Sequence, residues 1–130
     1  MPFTTGSAQS ILAANVGNYI GLLYEEPSED GSTFDEPAIS TTTGYTRGVI
    51  SGWDKSKSKQ IANDAIIFMF ECLSDLGTFT HFALFSSANG SSMKYYGELT
   101  GEVTVDKGYV PLIRKQELII GLDKSSLESY

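Results

Sequence analysis

Residues 18–24 read Asn-Tyr-Ile-Gly-Leu-Leu-Tyr, and apolar side chains fall at both parities of this short segment. Successive side chains of a strand point to opposite faces, so Ile20, Leu22 and Tyr24 share one face and Tyr19 and Leu23 the other. Both faces must be kept from water, since burying one such side chain stabilises by roughly 1.5–3 kcal/mol. A strand of this kind belongs inside a layered β structure, covered on both sides. The demand recurs over Asn63–Glu71, an apolar run rich in Ile and Phe that is too short for a helix and reads as a buried strand. In so small a domain, internal cover for both faces is scarce, which predicts that self-association or docking hides the excess.

The rest of the chain supports a mainly β reading. Gly44–Ser51 and Thr78–Phe85 are strand candidates. Ala88-Asn89-Gly90 supplies the Asn-Gly pair that favours a type I′ hairpin turn. Met93–Leu99 is the returning strand, with Met93, Tyr95 and Leu99 on one face and Lys94, Tyr96 and Glu98 on the other. Gly101–Val105, Tyr109–Ile113 and Gln116–Leu122 follow as short strands, the last with Leu118, Ile120 and Leu122 facing one way. Glu25–Thr43 is polar, and Pro27 and Pro37 break any ladder, so it reads as a long surface loop with a short edge strand near Ala38–Thr42. Residues 1–17 read as an arm with a short helix through Ile11, Leu12, Ala13 and Ala14, and residues 123–130 as a polar tail. The expected fold is one domain over residues 1–130, an antiparallel, jelly-roll-like β-sandwich with a short N-terminal helix.

Charge narrows the function. Nine Lys and Arg against 16 Asp and Glu give a formal net charge of −7, which argues against nucleic-acid binding. No run of about 18 apolar residues is present to span a membrane. Cys72 is the only cysteine, so neither an internal disulfide nor an all-cysteine metal site can form.

Catalytic constellations are absent. His81, the only histidine, lies inside a predicted strand without a nucleophile or orienting acid nearby in sequence, and reads as packed or interfacial. Cys72 has apolar or acidic neighbours and reads as a small buried hydrophobe. Glu25, Glu26, Glu29, Asp30, Asp35 and Glu36 cluster in the loop without EF-hand order, so a solvated loop outranks a calcium site. No cofactor is called for. Lys55, Lys57 and Lys59 form a basic knob, either solvated or docked on an acidic neighbour. Trp53, Tyr95, Tyr96 and Tyr109 read as core or interface anchors ahead of a sugar-stacking platform.

One resemblance covers most of the chain, from about Ile11 to Leu122. Tyr19-Ile20-Gly21-Leu22-Leu23 before Pro27, then Gly44-Tyr45-Thr46-Arg47, open the pattern. Thr80-His81-Phe82, Leu84-Phe85, Asn89-Gly90, Tyr95-Tyr96-Gly97-Glu98-Leu99-Thr100, Val105, Gly108 and Leu118-Ile119-Ile120 continue it. This set resembles short tailed-phage virion proteins of the minor tail or tail-fibre type, a group with capsid-decorating relatives. Arg114-Lys115, where a glycine turn is expected, and the Lys55–Lys59 loop depart from the pattern. The resemblance implies a β-sandwich that self-associates on the virion and has no enzymatic activity.

The expectation is therefore a non-enzymatic virion protein of a tailed double-stranded-DNA phage, assembled in the host bacterial cytoplasm. With no coiled coil or fibre shaft in the sequence, a capsid decoration (cement) protein leads, and a minor tail or tail-fibre component is the alternative. A carbohydrate-binding module is the alternative from another class. The expected partners are copies of itself, as a homotrimer, and the major capsid or tail proteins. Phe3, Ile11, Leu12, Trp53, Lys55, Lys57, Lys59, Tyr95, Tyr96 and Tyr109 are the expected contact residues.

Overall fold

The computed structural model describes residues 16–56 and 60–121. They are mainly β and contain no helix. The strands are β1 (Tyr19–Leu23), β2 (Gly48–Val49), β3 (Trp53–Asp54), β4 (Gln60–Asn63), β5 (Ile67–Phe68), β6 (Gly77–Phe85), β7 (Met93–Val105), β8 (Leu112–Ile113) and β9 (Ile119–Gly121). All pairings are antiparallel, in a four-stranded sheet ordered β2-β1-β6-β7, a three-stranded sheet ordered β3-β4-β9 and the pair β5-β8. The helix expected through Ile11–Ala14 and the tail over 123–130 lie outside the described residues.

β1 is covered on both faces, as its sequence requires. Ile20 and Leu22 enter the main core with Ile61, Phe79, Leu84 and Ile120, and Tyr24 packs against it with its ring stacked on Phe79. Leu23 turns the other way and forms a second core with Ala83 and Phe85, flanked by Tyr19, Phe34, Met93 and Tyr96. The cover on this second side comes from the chain itself. The loop between β1 and β2 folds back so that Phe34 meets the Phe85 ring at 5.5 Å and the Arg47 guanidinium lies 3.4 Å from its centroid. On this side the two-faced strand is covered without a second molecule, because a polar-looking loop delivers one aromatic and one arginine to it.

A buried ion pair fixes that loop. Arg47 Nη2 donates to Glu36 Oε1 at 2.7 Å and Nε to Oε2 at 3.0 Å, with both side chains almost fully buried. The Tyr45 hydroxyl donates to Glu36 Oε2 at 2.5 Å and accepts from the Leu22 N–H at 3.1 Å, tying the pair to β1. Burial, and then the Glu36 charge, push the Tyr45 hydroxyl far above its ordinary pKa, so it remains a donor. Arg47 also donates to the carbonyls of Ser87 (3.1 Å) and Gly90 (2.6 Å), which pins the β6–β7 connection. Gly21 makes room for this: a Cβ there would stand 2.4 Å from Glu36 Oε2 and 3.0 Å from the Tyr45 hydroxyl.

Several expected elements take another form. No strand forms near Ala38–Thr42, where Gly44 N–H bonds back to the Ser40 carbonyl in a turn. Gly44–Ser51 contributes only the two residues of β2. The single strand expected over Asn63–Glu71 breaks at Asp64–Ala65 into β4 and β5, which belong to different sheets. Asn63 holds the break: its Nδ2 donates to the Ala65 and Arg114 carbonyls at 2.9 and 2.8 Å, and its Oδ1 accepts from Leu118 N–H at 2.9 Å. The β6–β7 hairpin does not use a type I′ turn, which needs positive φ at both central residues. Gly90 has φ 83°, while Gln116 alone among the described non-glycine residues has positive φ. Met93–Leu99 and Gly101–Val105 are one long strand, β7. Tyr109–Ile113 and Gln116–Leu122 contract to β8 and β9. The glycine-like turn missing at Arg114-Lys115 exists nonetheless, with Gln116 at φ 64° and Glu117 N–H bonded to the Arg114 carbonyl at 3.0 Å.

Three substitutions follow from this packing. Glu36→Gln leaves the buried guanidinium uncompensated and is expected to cost about 3 kcal/mol, read by urea denaturation. Gly21→Ala forces a methyl onto the same carboxylate and is expected to lower stability by roughly 2 kcal/mol, visible as a lower melting temperature. Asn63→Ala strands one donor and two carbonyls, and a loss of about 3 kcal/mol is expected in the same measurement.

Candidate interaction surface

An apolar hollow of about 470 Å³ lies between the sheets. Ile20, Leu22 and Met69 line it from the core, Leu99 and Val103 from β7, and Leu112 from β8. Phe79 stands opposite Val103 and His81 opposite Glu98, so the four residues Leu99–Glu102 face Thr80 alone. Four residues against one make a local irregularity in the β6–β7 ladder, beside the hollow that Leu99, Thr100 and Gly101 line. Glu98 and Glu117 also line the hollow, so its apolar walls carry acidic neighbours.

Beside it, the outer side of the β5–β8 pair is apolar and wet. Phe68 is 63% exposed and stands opposite Leu112, 41% exposed. Val49 on β2 is 60% exposed. Sequence reasoning placed Phe68 in the core with its neighbours. Ile66 to Phe70 are apolar at both parities, so the sequence carried no signal that Phe68 faces outward between the buried Ile67 and Met69.

The expected contact residues do not form one patch. Trp53 is half-buried against the main core, and its Nε1 has no hydrogen-bond partner among the described residues. Tyr95 packs on the main core and Tyr96 on the second, so the two rings lie on opposite faces of β7. Tyr109 is exposed, in the segment before β8 whose carbonyl accepts from Cys72 N–H at 3.0 Å. These aromatics therefore build no coplanar sugar-stacking platform. Lys55 is exposed, while Phe3, Ile11, Leu12, Lys57 and Lys59 lie outside the described residues.

The other singled-out groups have partners of their own. His81 Nδ1 is 2.8 Å from the Thr80 hydroxyl, and the buried Cys72 thiol donates to the Ser74 carbonyl at 2.8 Å. Asp30 accepts from the Ser32 N–H (3.0 Å), the Ser32 hydroxyl (2.7 Å) and the Ser28 hydroxyl (2.9 Å), bonds that hold its carboxyl down to about 2. Glu36 is engaged by Arg47 and Tyr45. Among the described residues no three metal-ligating side chains come together, and no helix is long and apolar enough to cross a membrane. Sequence reasoning missed Glu36 and Arg47 as a pair, although Arg47 ends a Tyr-x-Arg segment and Glu36 is one of six carboxylates in the preceding loop.

Comparison with known proteins adds the family. No curated protein matches the chain. The model of the family described as "Podophage GP4 fiber I protein gp80" matches residues 7–121, most of the 130-residue chain. The chain belongs to the podophage GP4 fiber I protein gp80 family and is a structural component of a tailed-phage virion.

Proposed function

We propose that this protein is a non-enzymatic tail-fibre component, a compact β module that joins other tail proteins on the particle. The observation that carries the reading is the family match over residues 7–121, whose description names a fibre protein. It favours the tail over the head, and nothing in that description speaks for capsid decoration. On the second face of β1 the cover comes from Phe34 and Arg47 of the same chain, so any contact with other copies uses another surface.

The architecture reads as a β-sandwich in one domain. Its support is the packing of β5 across the four-stranded sheet, where a Cβ on Gly48 of β2 would stand 3.0 Å from Ile67 and Met69. In mechanism, such a module acts through rigidity and surface. The buried ion pair and two cores hold the shape, and the exposed Phe68, Leu112 and Val49 offer apolar area to a neighbouring protein. Assembly in the host cytoplasm before release is the setting this role requires. A glycan-binding role is not favoured, because Tyr95 and Tyr96 point to opposite faces.

Gold-labelled antibody against this chain, applied to purified virions, tests the location. Label at the tail is expected, with few copies per particle by quantitative mass spectrometry. Label spread over the head, with copies in proportion to the major capsid protein, would overturn the fibre reading.

A further inference from the structure

Asn89-Gly90 is the sole Asn-Gly pair in the chain, and it lies exposed in the β6–β7 connection. The nitrogen after an asparagine can attack the side-chain carbonyl to close a cyclic imide, and glycine puts no side chain in the way. The attack needs an amide side chain free to turn, a backbone N–H that donates to nothing, and open space. Each condition is met here. Among the described residues neither the Asn89 amide side chain nor the Gly90 N–H has a hydrogen-bond partner. A Cβ on Gly90 would find nothing within 4 Å.

Asp30-Gly31 is the matching acid pair, and there the same ring closure is blocked on both sides. The Asp30 carboxylate accepts from the Ser32 N–H, the Ser32 hydroxyl and the Ser28 hydroxyl, bonds that keep it ionised and therefore a poor electrophile. The Gly31 N–H donates to the Ser28 carbonyl at 2.9 Å. Asn63 is held as well, its amide donating to the Ala65 and Arg114 carbonyls, and an aspartate rather than a glycine follows it. At Asn89 the grip is on the main-chain oxygens instead. Arg47 donates to the Ser87 and Gly90 carbonyls at 3.1 and 2.6 Å, and Ser87 Oγ donates to the Asn89 carbonyl at 2.6 Å.

We propose that Asn89 is a self-modification site, where deamidation to isoaspartate loosens the hold of Arg47 on the β6–β7 connection. The Gly90 nitrogen, having lost its proton to solvent, bonds to Asn89 Cγ. The Cγ–Nδ2 bond breaks, and that nitrogen leaves as ammonia, taking a proton back. Water then opens the ring, giving aspartate at Cγ or isoaspartate at the Asn89 main-chain carbonyl. In isoaspartate the main chain runs through Cβ and Cγ and is longer by a methylene, and the carbonyl that Ser87 held becomes a free carboxylate. The Ser87 and Gly90 carbonyls then no longer stand at the spacing that Arg47 grips. Arg47 is buried, so a guanidinium N–H that loses its acceptor is left without a replacement from water. A finished particle does not renew its proteins, so the change accumulates with age. The inference concerns the chain itself and does not depend on whether the protein sits on the tail or the head.

Ageing of the purified chain in mildly alkaline buffer, followed by peptide mapping with tandem mass spectrometry that separates aspartate from isoaspartate, tests it. In the folded chain Asn89 is expected to convert about tenfold faster than Asn18 or Asn63, while Asp30 keeps its ordinary linkage. The melting temperature of the aged parent is expected to fall, and that of aged Asn89→Ser to stay at its starting value. Position 89 is exposed and the replacement leaves the Ser87 and Gly90 carbonyls in place, so this variant folds as the parent does. If Asn89 survives in the folded chain while converting in urea, or converts no faster than the other two asparagines, the site is overturned. Conversion to isoaspartate with an unchanged melting temperature overturns the link to Arg47.

Discussion

The ion pair between Arg47 and Glu36 joins parts of the chain that no sheet hydrogen bond connects. Through Tyr45 it reaches the Leu22 N–H of β1, and through two carbonyls it reaches the β6–β7 connection at Ser87 and Gly90. A buried pair of this kind adds little net stability against an apolar replacement, because both charges had to leave water. Its effect is to specify geometry. The planar guanidinium meets the carboxylate on one edge, the carbonyls on another and the Phe85 ring on its face, so one side chain sets the positions of three segments.

That geometry decides which surface is available for assembly. Once the β1–β2 loop lies over Phe85 and Leu23, the second face of the main sheet is closed within the chain. The apolar area left in water is elsewhere, on the β5–β8 pair at Phe68 and Leu112 and on β2 at Val49. Of the strands that stand at a sheet edge, β7 is the longest, so it carries the longest row of backbone groups without a strand partner among the described residues. For a virion structural protein these two features, an apolar sheet face and a long open edge, are where contact with neighbours is physically favourable.

Parity arguments were legible in the sequence wherever a strand is regular. The split of β1 into Ile20, Leu22 and Tyr24 on one side and Tyr19 and Leu23 on the other appears in the fold as read. So does the inward set Leu118 and Ile120 of the last strand. The argument failed at Met93, expected on the face of Tyr95 but packed with Tyr96, because Lys94 is an extra residue in the β6–β7 register and shifts the alternation. It failed again over Asn63–Glu71, where composition shows apolar content but not the turn that Asn63 stabilises through three partners distant in sequence or across the turn.

The sequence alone determined that the chain is mainly antiparallel β, that β1 is buried on both sides, and that its pattern is that of phage virion proteins. These are local or periodic properties, carried by alternation, turn residues and composition. Only the tertiary structure decided what lies over the second face of β1. In the linear chain Glu36 is one acid of six in a polar loop, and Arg47 is a cation at the start of a strand. Their pairing depends on the loop folding back across Gly21, a long-range contact that neither periodicity nor charge count encodes.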